Sequence, residues 1–312
     1  MADSHPPVPS PSASAPLSKA QTFVRRLASS VALWTFVLLA LFSGGSLVSD
    51  LLFLVVMLAI AVLGLQEFYG MVQKAGLAFF RKSGLVGGVI LMAGTFLYLH
   101  LHPNGAASGV NDFETGILIL FVLGLCLRQF LSRSGGSALV GISTTLLGLM
   151  YVPWLLNFIQ KLHFFPDVRG QAVDGNFYVL YFILVTKFSD LGAYCVGSLI
   201  GKHKMIPRIS PGKTWEGFGG AIVVSTLVSV LFAHFLQHKL YGMTILHAVI
   251  LGVILSVAAV VGDLIESIFK REAKAKDSGR WFPGIGGILD LMDSLLFNAP
   301  LMYLYLRYVL AD

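Results

Sequence analysis

The chain has 312 residues, 56% of them hydrophobic and only 12% charged, with a formal net charge of +6. A soluble domain carries about twice that charged fraction. Together with a mean hydropathy of +0.79, and with apolar runs of the roughly 20 residues that cross a bilayer, this excludes a soluble globular domain. The fold class is all-α, a polytopic integral membrane protein. Cys126 and Cys195 lie inside apolar runs; they offer neither a disulfide framework nor zinc-ligand spacing and read as packing residues.

Residues 1–18 are rich in Pro, Ser and Ala, so the tail over 1–24 is predicted to be disordered. No basic segment leads into a hydrophobic stretch at the start, so no cleaved signal peptide is predicted. Residues 25–312 form one transmembrane domain. Its apolar runs predict nine spans, near 28–46, 51–66, 84–101, 115–131, 137–159, 176–200, 217–236, 244–263 and 288–309. The first two are joined only by Gly44, Gly45, Ser46 and their neighbours and are predicted to form a helical hairpin. No period of 20–50 residues repeats, which argues against a solenoid.

The basic residues orient the spans. With the N-terminus in the cytoplasm, one side of the membrane receives Lys19, Arg25, Lys74, Arg81, Lys82, Arg128, Lys202, Lys204, Arg208, Lys213, Lys270 and Arg271, among others. The other side receives only Lys161, Arg169 and Lys239. The positive net charge is therefore a topology signal. No basic patch interleaved with aromatic residues points to nucleic acid. His100 and His102 read as interfacial residues.

Within the sixth span, Lys187, Asp190 and Tyr194 fall at i, i+3 and i+7 of one helix face. That spacing fits either an ion pair inside the bilayer or a polar site. Gly192, Gly197 and Gly201 suit close helix packing. Ser210-Pro211-Gly212-Lys213-Thr214 then places hydroxyls and a cation just before a new helix, an arrangement that binds phosphate. The spacing is not that of a P-loop.

The second cluster covers 262–294. Asp263, Glu266 and Lys270 share a face at the end of the eighth span, and Asp290 and Asp293 are three apart at the start of the ninth. Two carboxylates on one face repel unless a cation joins them, and Mg²⁺ takes oxygen ligands together with substrate phosphates. Gly286 and Gly287 leave amides for a phosphate oxygen. Lys270, Arg271, Lys274 and Lys276 suit anionic lipid or polyphosphate.

At these residues the chain resembles the CDP-diacylglycerol synthase (phosphatidate cytidylyltransferase) family. The family's C-terminal signature is matched at Ser267, Lys270, Arg271, Lys276, Asp277, Gly279, Pro283, Gly284, Gly286, Gly287, Asp290 and Asp293. An upstream run is matched at Lys187, Ser189, Asp190, Gly192, Ala193, Tyr194, Gly201, Lys202 and Ile209–Pro211, and again at Lys213–Gly217. The sequence departs from the signature at Ile285, where the pattern has His, and at Leu291, where it has Arg.

The resemblance implies a catalytic transmembrane domain that converts CTP and phosphatidate to CDP-diacylglycerol and pyrophosphate at a bacterial inner membrane, with membrane lipids around it and a homodimer as its assembly. On this reading Asp263, Asp290 and Asp293 hold Mg²⁺, with room for a second cation. Lys270, Arg271 and Lys276 neutralise the triphosphate. Lys187, Ser189, Asp190, Ser210, Lys213, Ser267, Asp277, Gly286 and Gly287 line the nucleotide and phosphate sites. The alternatives are a CTP-dependent enzyme acting on another lipid phosphate or a polyprenol, and, in a different class, an ion or lipid transporter.

Overall fold

The computed structural model describes residues 34–42, 46–102, 106–132, 137–275, 277–279 and 286–311. Nearly all are helical: α1 (residues 34–42), α2 (Ser46–Lys74), α3 (Arg81–Leu101), α4 (Ala106–Leu131), α5 (Ala138–Leu149), α6 (Leu155–His163), α7 (Gly175–Ile200), α8 (Trp215–Phe235), α9 (Ile245–Glu272) and α10 (Ile288–Tyr305). A π turn over Met150–Trp154 joins α5 to α6 around Pro153, whose missing N–H breaks the regular helical bonding. Seven of the described helical segments are long and apolar enough to cross a membrane, which makes this a multi-pass membrane protein. The tail over 1–24, the Gly44–Gly45 link, Lys276 and Ile285 lie outside the described residues. Ser49 Oγ nevertheless donates to Ala40 O at 3.1 Å, so the neighbouring ends of α1 and α2 lie side by side.

Several boundaries differ from the hydropathy reading. α2 is longer than 51–66, running from Ser46 to Lys74; Glu67, just past the end of the apolar run, is buried against protein. α9 continues past 263 to Glu272. Lys161, expected in an external loop, is inside α6 and buried, with Nζ 2.6 Å from Glu114 Oε2. Asn157 and Thr95 also reach Glu114, so the pair sits in a closed polar network. Two antiparallel hairpins interrupt the helices, β1 (Asp167–Val168) with β2 (Gln171–Ala172), and β3 (Lys204–Ile206) with β4 (Ser210–Thr214). Cys126 and Cys195 are exposed. They face away from the bundle instead of packing inside it, since an apolar run in a membrane span suits lipid contact as well as a core.

Capping residues start the helices that carry the site. Thr214 accepts from the Gly217 amide at 3.1 Å at the head of α8, and Thr244 from the His247 amide at 3.4 Å at the head of α9. Small residues then let α7 and α8 approach closely. A Cβ at Gly192 would stand 2.7 Å from the Gly220 carbonyl and from Val224 Cβ. Polar side chains tie the same helices together: Ser225 Oγ lies within 3.2 Å of the carbonyls of Val185 on α7 and Gly252 on α9. Asn298 on α10 donates to Thr186 Oγ1 at 2.6 Å. Interhelical hydrogen bonds of this kind substitute for the hydrophobic drive that lipid cannot supply.

Candidate active site

α7, β4, α9 and the start of α10 meet around a pocket of about 510 Å³ lined by Asp190, Ser210, Lys213, Asp263, Asp290 and Asp293 among others. On α9, Asp263 and Glu266 are one turn apart. Across from them Asp293 projects from α10, and oxygens of these three carboxylates lie within 4.8 Å of one another. Glu266 is fully buried and its Oε1 has no hydrogen-bond partner. A buried carboxylate oxygen without a donor costs several kcal/mol unless something positive meets it. The three acids thus form a set of hard oxygen ligands suited to Mg²⁺ or a similar cation.

Asp290 has a different task. Its Oδ1 receives Lys270 Nζ at 2.7 Å, and its Oδ2 receives the Gly287 amide at 2.7 Å and the Ser278 hydroxyl at 3.0 Å. It stands at the third position of α10 and caps the helix that carries it. The Gly287 amide is therefore not free for a phosphate, contrary to the sequence expectation, because the helix's own carboxylate occupies it. Gly286, at φ 120°, takes a backbone conformation that side chains avoid, and a Cβ there would meet Asp290 Oδ2 at 2.6 Å.

The lysines are parked on acids. Lys213 Nζ is 2.8 Å from Asp263 Oδ2 and donates to Val260 O at 3.1 Å. Lys270 bridges Glu266 and Asp290. Lys187, halfway along α7, donates to Leu291 O at 2.8 Å and lies 3.4 Å from Asp190 Oδ2 and from Ser294 Oγ. Ser294 in turn donates to Asp190 at 3.2 Å, and its amide to Asp293 Oδ1 at 2.6 Å. Asp190, Asp263, Glu266, Asp290 and Asp293 thus meet Lys187, Lys213 and Lys270. The acids exceed the cations by two formal charges, the charge of one divalent cation.

Other sequence candidates lie further out. Arg271 is exposed and donates through Nε to Ile209 O at 3.1 Å, and Asp277 is exposed. Ser267 is buried on α9. Ser189 is buried with an unpartnered hydroxyl; neither serine lines the pocket. Leu291 turns toward a separate apolar cavity.

Glu67 on α2 was missed by sequence reading. It is buried and accepts from the amides of Ile288 at 3.0 Å and Leu289 at 2.9 Å, and from Ser278 Oγ at 3.0 Å. A Cβ at Gly279 or Gly287 would overlap its carboxylate. Those two glycines give Glu67 its access to the head of α10. A lone acid just past the end of an apolar span was the available signal.

A family model described as the cytidylyltransferase family matches residues 24–309. The chain belongs to the cytidylyltransferase family. It is 31% identical over 305 residues to a phosphatidate cytidylyltransferase of Haemophilus influenzae, covering 92% of this chain and 99% of that protein. The Bacillus subtilis phosphatidate cytidylyltransferase is 32% identical over 247 residues, 79% of this chain and 87% of that protein. An uncharacterized protein of Escherichia coli, YnbB, is 31% identical over 221 residues, 68% of this chain and 70% of that protein.

Proposed function

We propose that this protein is a phosphatidate cytidylyltransferase, forming CDP-diacylglycerol and pyrophosphate from CTP and phosphatidate. Family membership and the named relatives support the substrates. The convergence of Asp263, Glu266 and Asp293 beside Lys213 and Lys270 is the structural observation that carries the chemistry. An oxygen of the phosphatidate phosphate attacks the α-phosphorus of CTP, the bond from that phosphorus to the bridging oxygen breaks, and pyrophosphate leaves. A phosphate monoester has its second pKa near 6, by analogy with phosphoserine, so the nucleophile is already anionic. An obligatory general base is unnecessary, and His in place of Ile285 is not needed for that step.

The protein's work is placement and charge neutralisation. Asp263, Glu266 and Asp293 would hold Mg²⁺, with Asp190 on the pocket wall available to a second cation. The bound cation offsets phosphate charge and aligns the reacting groups. Lys213 and Lys270 stand where they can exchange a carboxylate for a phosphate oxygen. Ser210 lines the entrance on β4. Asp290 aims Lys270 and fixes the first turn of α10. In this reading the loops carrying β3–β4 and Ser278 face the cytoplasm of a bacterial inner membrane, where CTP is found.

The test is direct. Purified protein in detergent, given radiolabelled CTP, phosphatidate and Mg²⁺, yields labelled CDP-diacylglycerol. Folded protein that makes no labelled lipid from any of several lipid phosphates overturns the reading.

A further inference from the structure

A second cavity, of about 280 Å³, begins where the acidic pocket ends. Its wall includes Trp34, Met57, Ile159, Val179, Ile183 and Met292, from α1, α2, α6, α7 and α10. Among the described residues, Lys187 is the one charged residue on the lining. On α7 Val179 and Ile183 precede Lys187 by eight and four residues, while Asp190, on the acidic pocket, follows by three. The two cavities therefore stand end to end along α7 with the Lys187 ammonium at the join. From that ammonium, Asp190, Ser294 and Asp293 make a continuous polar path into the carboxylate cluster. The apolar cavity extends the other way, toward the end of the bundle opposite the β3–β4 hairpin.

Walls this apolar favour an apolar occupant, because they lose dispersion contacts unless an apolar group fills the space between them. A nucleotide has nothing to offer it. The occupant has to be a hydrocarbon chain attached to an anion that can meet Lys187, and of the two substrates only the lipid phosphate has both parts. We propose that this cavity takes an acyl chain of phosphatidate, so that Lys187 holds the phosphate at the junction of head and tail and the α7 wall measures the chain. The proposal rests on the reading of the acidic pocket as a phosphatidate cytidylyltransferase site.

Two experiments test it. In the first, kcat/KM for dioleoyl and for dihexanoyl phosphatidate is compared in wild-type protein, Val179→Trp and Ile183→Trp. Filling the cavity is expected to lower the ratio of long-chain to short-chain kcat/KM on the order of tenfold. An unchanged ratio overturns the proposal, as does an equal loss on both lipids. Turnover of neither lipid by folded wild-type protein refutes the reading of the acidic pocket itself, which separates the two failures. The second experiment needs no variant, and so stands if the tryptophans prevent folding. Phosphatidate with a photoreactive diazirine at the chain terminus is cross-linked to wild-type protein. Label on Met57, Val179, Ile183 or Met292 supports the assignment. Label confined to outward-facing residues such as Leu227 and Val257 overturns it.

Discussion

Replacing Glu67 by Ala isolates what the carboxylate of α2 does for a site it never lines. In the folded protein it accepts two amides at the head of α10 and the Ser278 hydroxyl. Ser278 keeps a second acceptor in Asp290 at 3.0 Å, but the amides of Ile288 and Leu289 are left buried and unpaired. Each such donor costs about 1–3 kcal/mol, so the loss should be roughly 2–6 kcal/mol. At this chain length 1 kcal/mol moves the midpoint by roughly 2 °C, and a fall of about 4–12 °C is expected. Because detergent-solubilised membrane proteins often unfold irreversibly, the readout is the folded fraction by size exclusion after timed heating. The head of α10 also sets Asp290 and Asp293. A misplacement on the order of 1 Å costs on the order of 100-fold in rate, so kcat for labelled lipid should fall by that order. Glu67→Gln, which keeps one acceptor oxygen, should lie between. Glu67→Ala with the thermal stability and kcat of wild type would refute the argument.

Asp293→Asn should remove turnover in protein that still elutes as a folded species. EDTA should stop the wild-type reaction and added Mg²⁺ restore it; full activity in EDTA would refute the cation site. Lys161→Ala leaves Glu114 buried without its ammonium partner and should cost about 3–5 kcal/mol. Combining Lys161→Met with Glu114→Gln should recover most of that in the same heating assay, and a double variant as unstable as Lys161→Ala would contradict it. Gly192→Val drives a side chain into the Gly220 carbonyl and should lower stability by about 1–3 kcal/mol; wild-type stability would mean that α7 and α8 separate freely.

Seven of the nine expected spans recur among the described residues as helical segments long and apolar enough to cross a membrane, because lipid demands long apolar helices with internally bonded backbones. What escaped were places where protein, not lipid, surrounds the helix. The run Gln66-Glu67-Phe68 closes an apolar window, yet α2 continues through it because Glu67 meets amides more than two hundred residues away. Lys161 reads as a loop residue until Glu114 is placed beside it. In the acidic cluster, helical spacing put Asp263 beside Glu266. Which aspartate of α10 would join them depended on the rotation of α10 about its axis, which the sequence leaves open. The spacing of Gly287 and Asp290 did carry a sign, since an acid three residues after a helix cap tends to fold back on it.

The site's charges make sense only across helices. Lys213 comes from β4 to an acid of α9, Lys270 from α9 to an acid of α10, and Lys187 from α7 to a carbonyl of α10. Each ammonium is held by a partner on another element, so the charges fasten the elements together while no substrate is present. The same partners are weaker competitors than a triphosphate, which brings several charge-assisted acceptors at once. Binding energy from the nucleotide can therefore release lysines from carboxylates without exposing either to lipid. The excess of carboxylates means that the released acids need a cation in turn. The proposed function therefore expects nucleotide and cation to bind together, a dependence that the EDTA experiment reads directly.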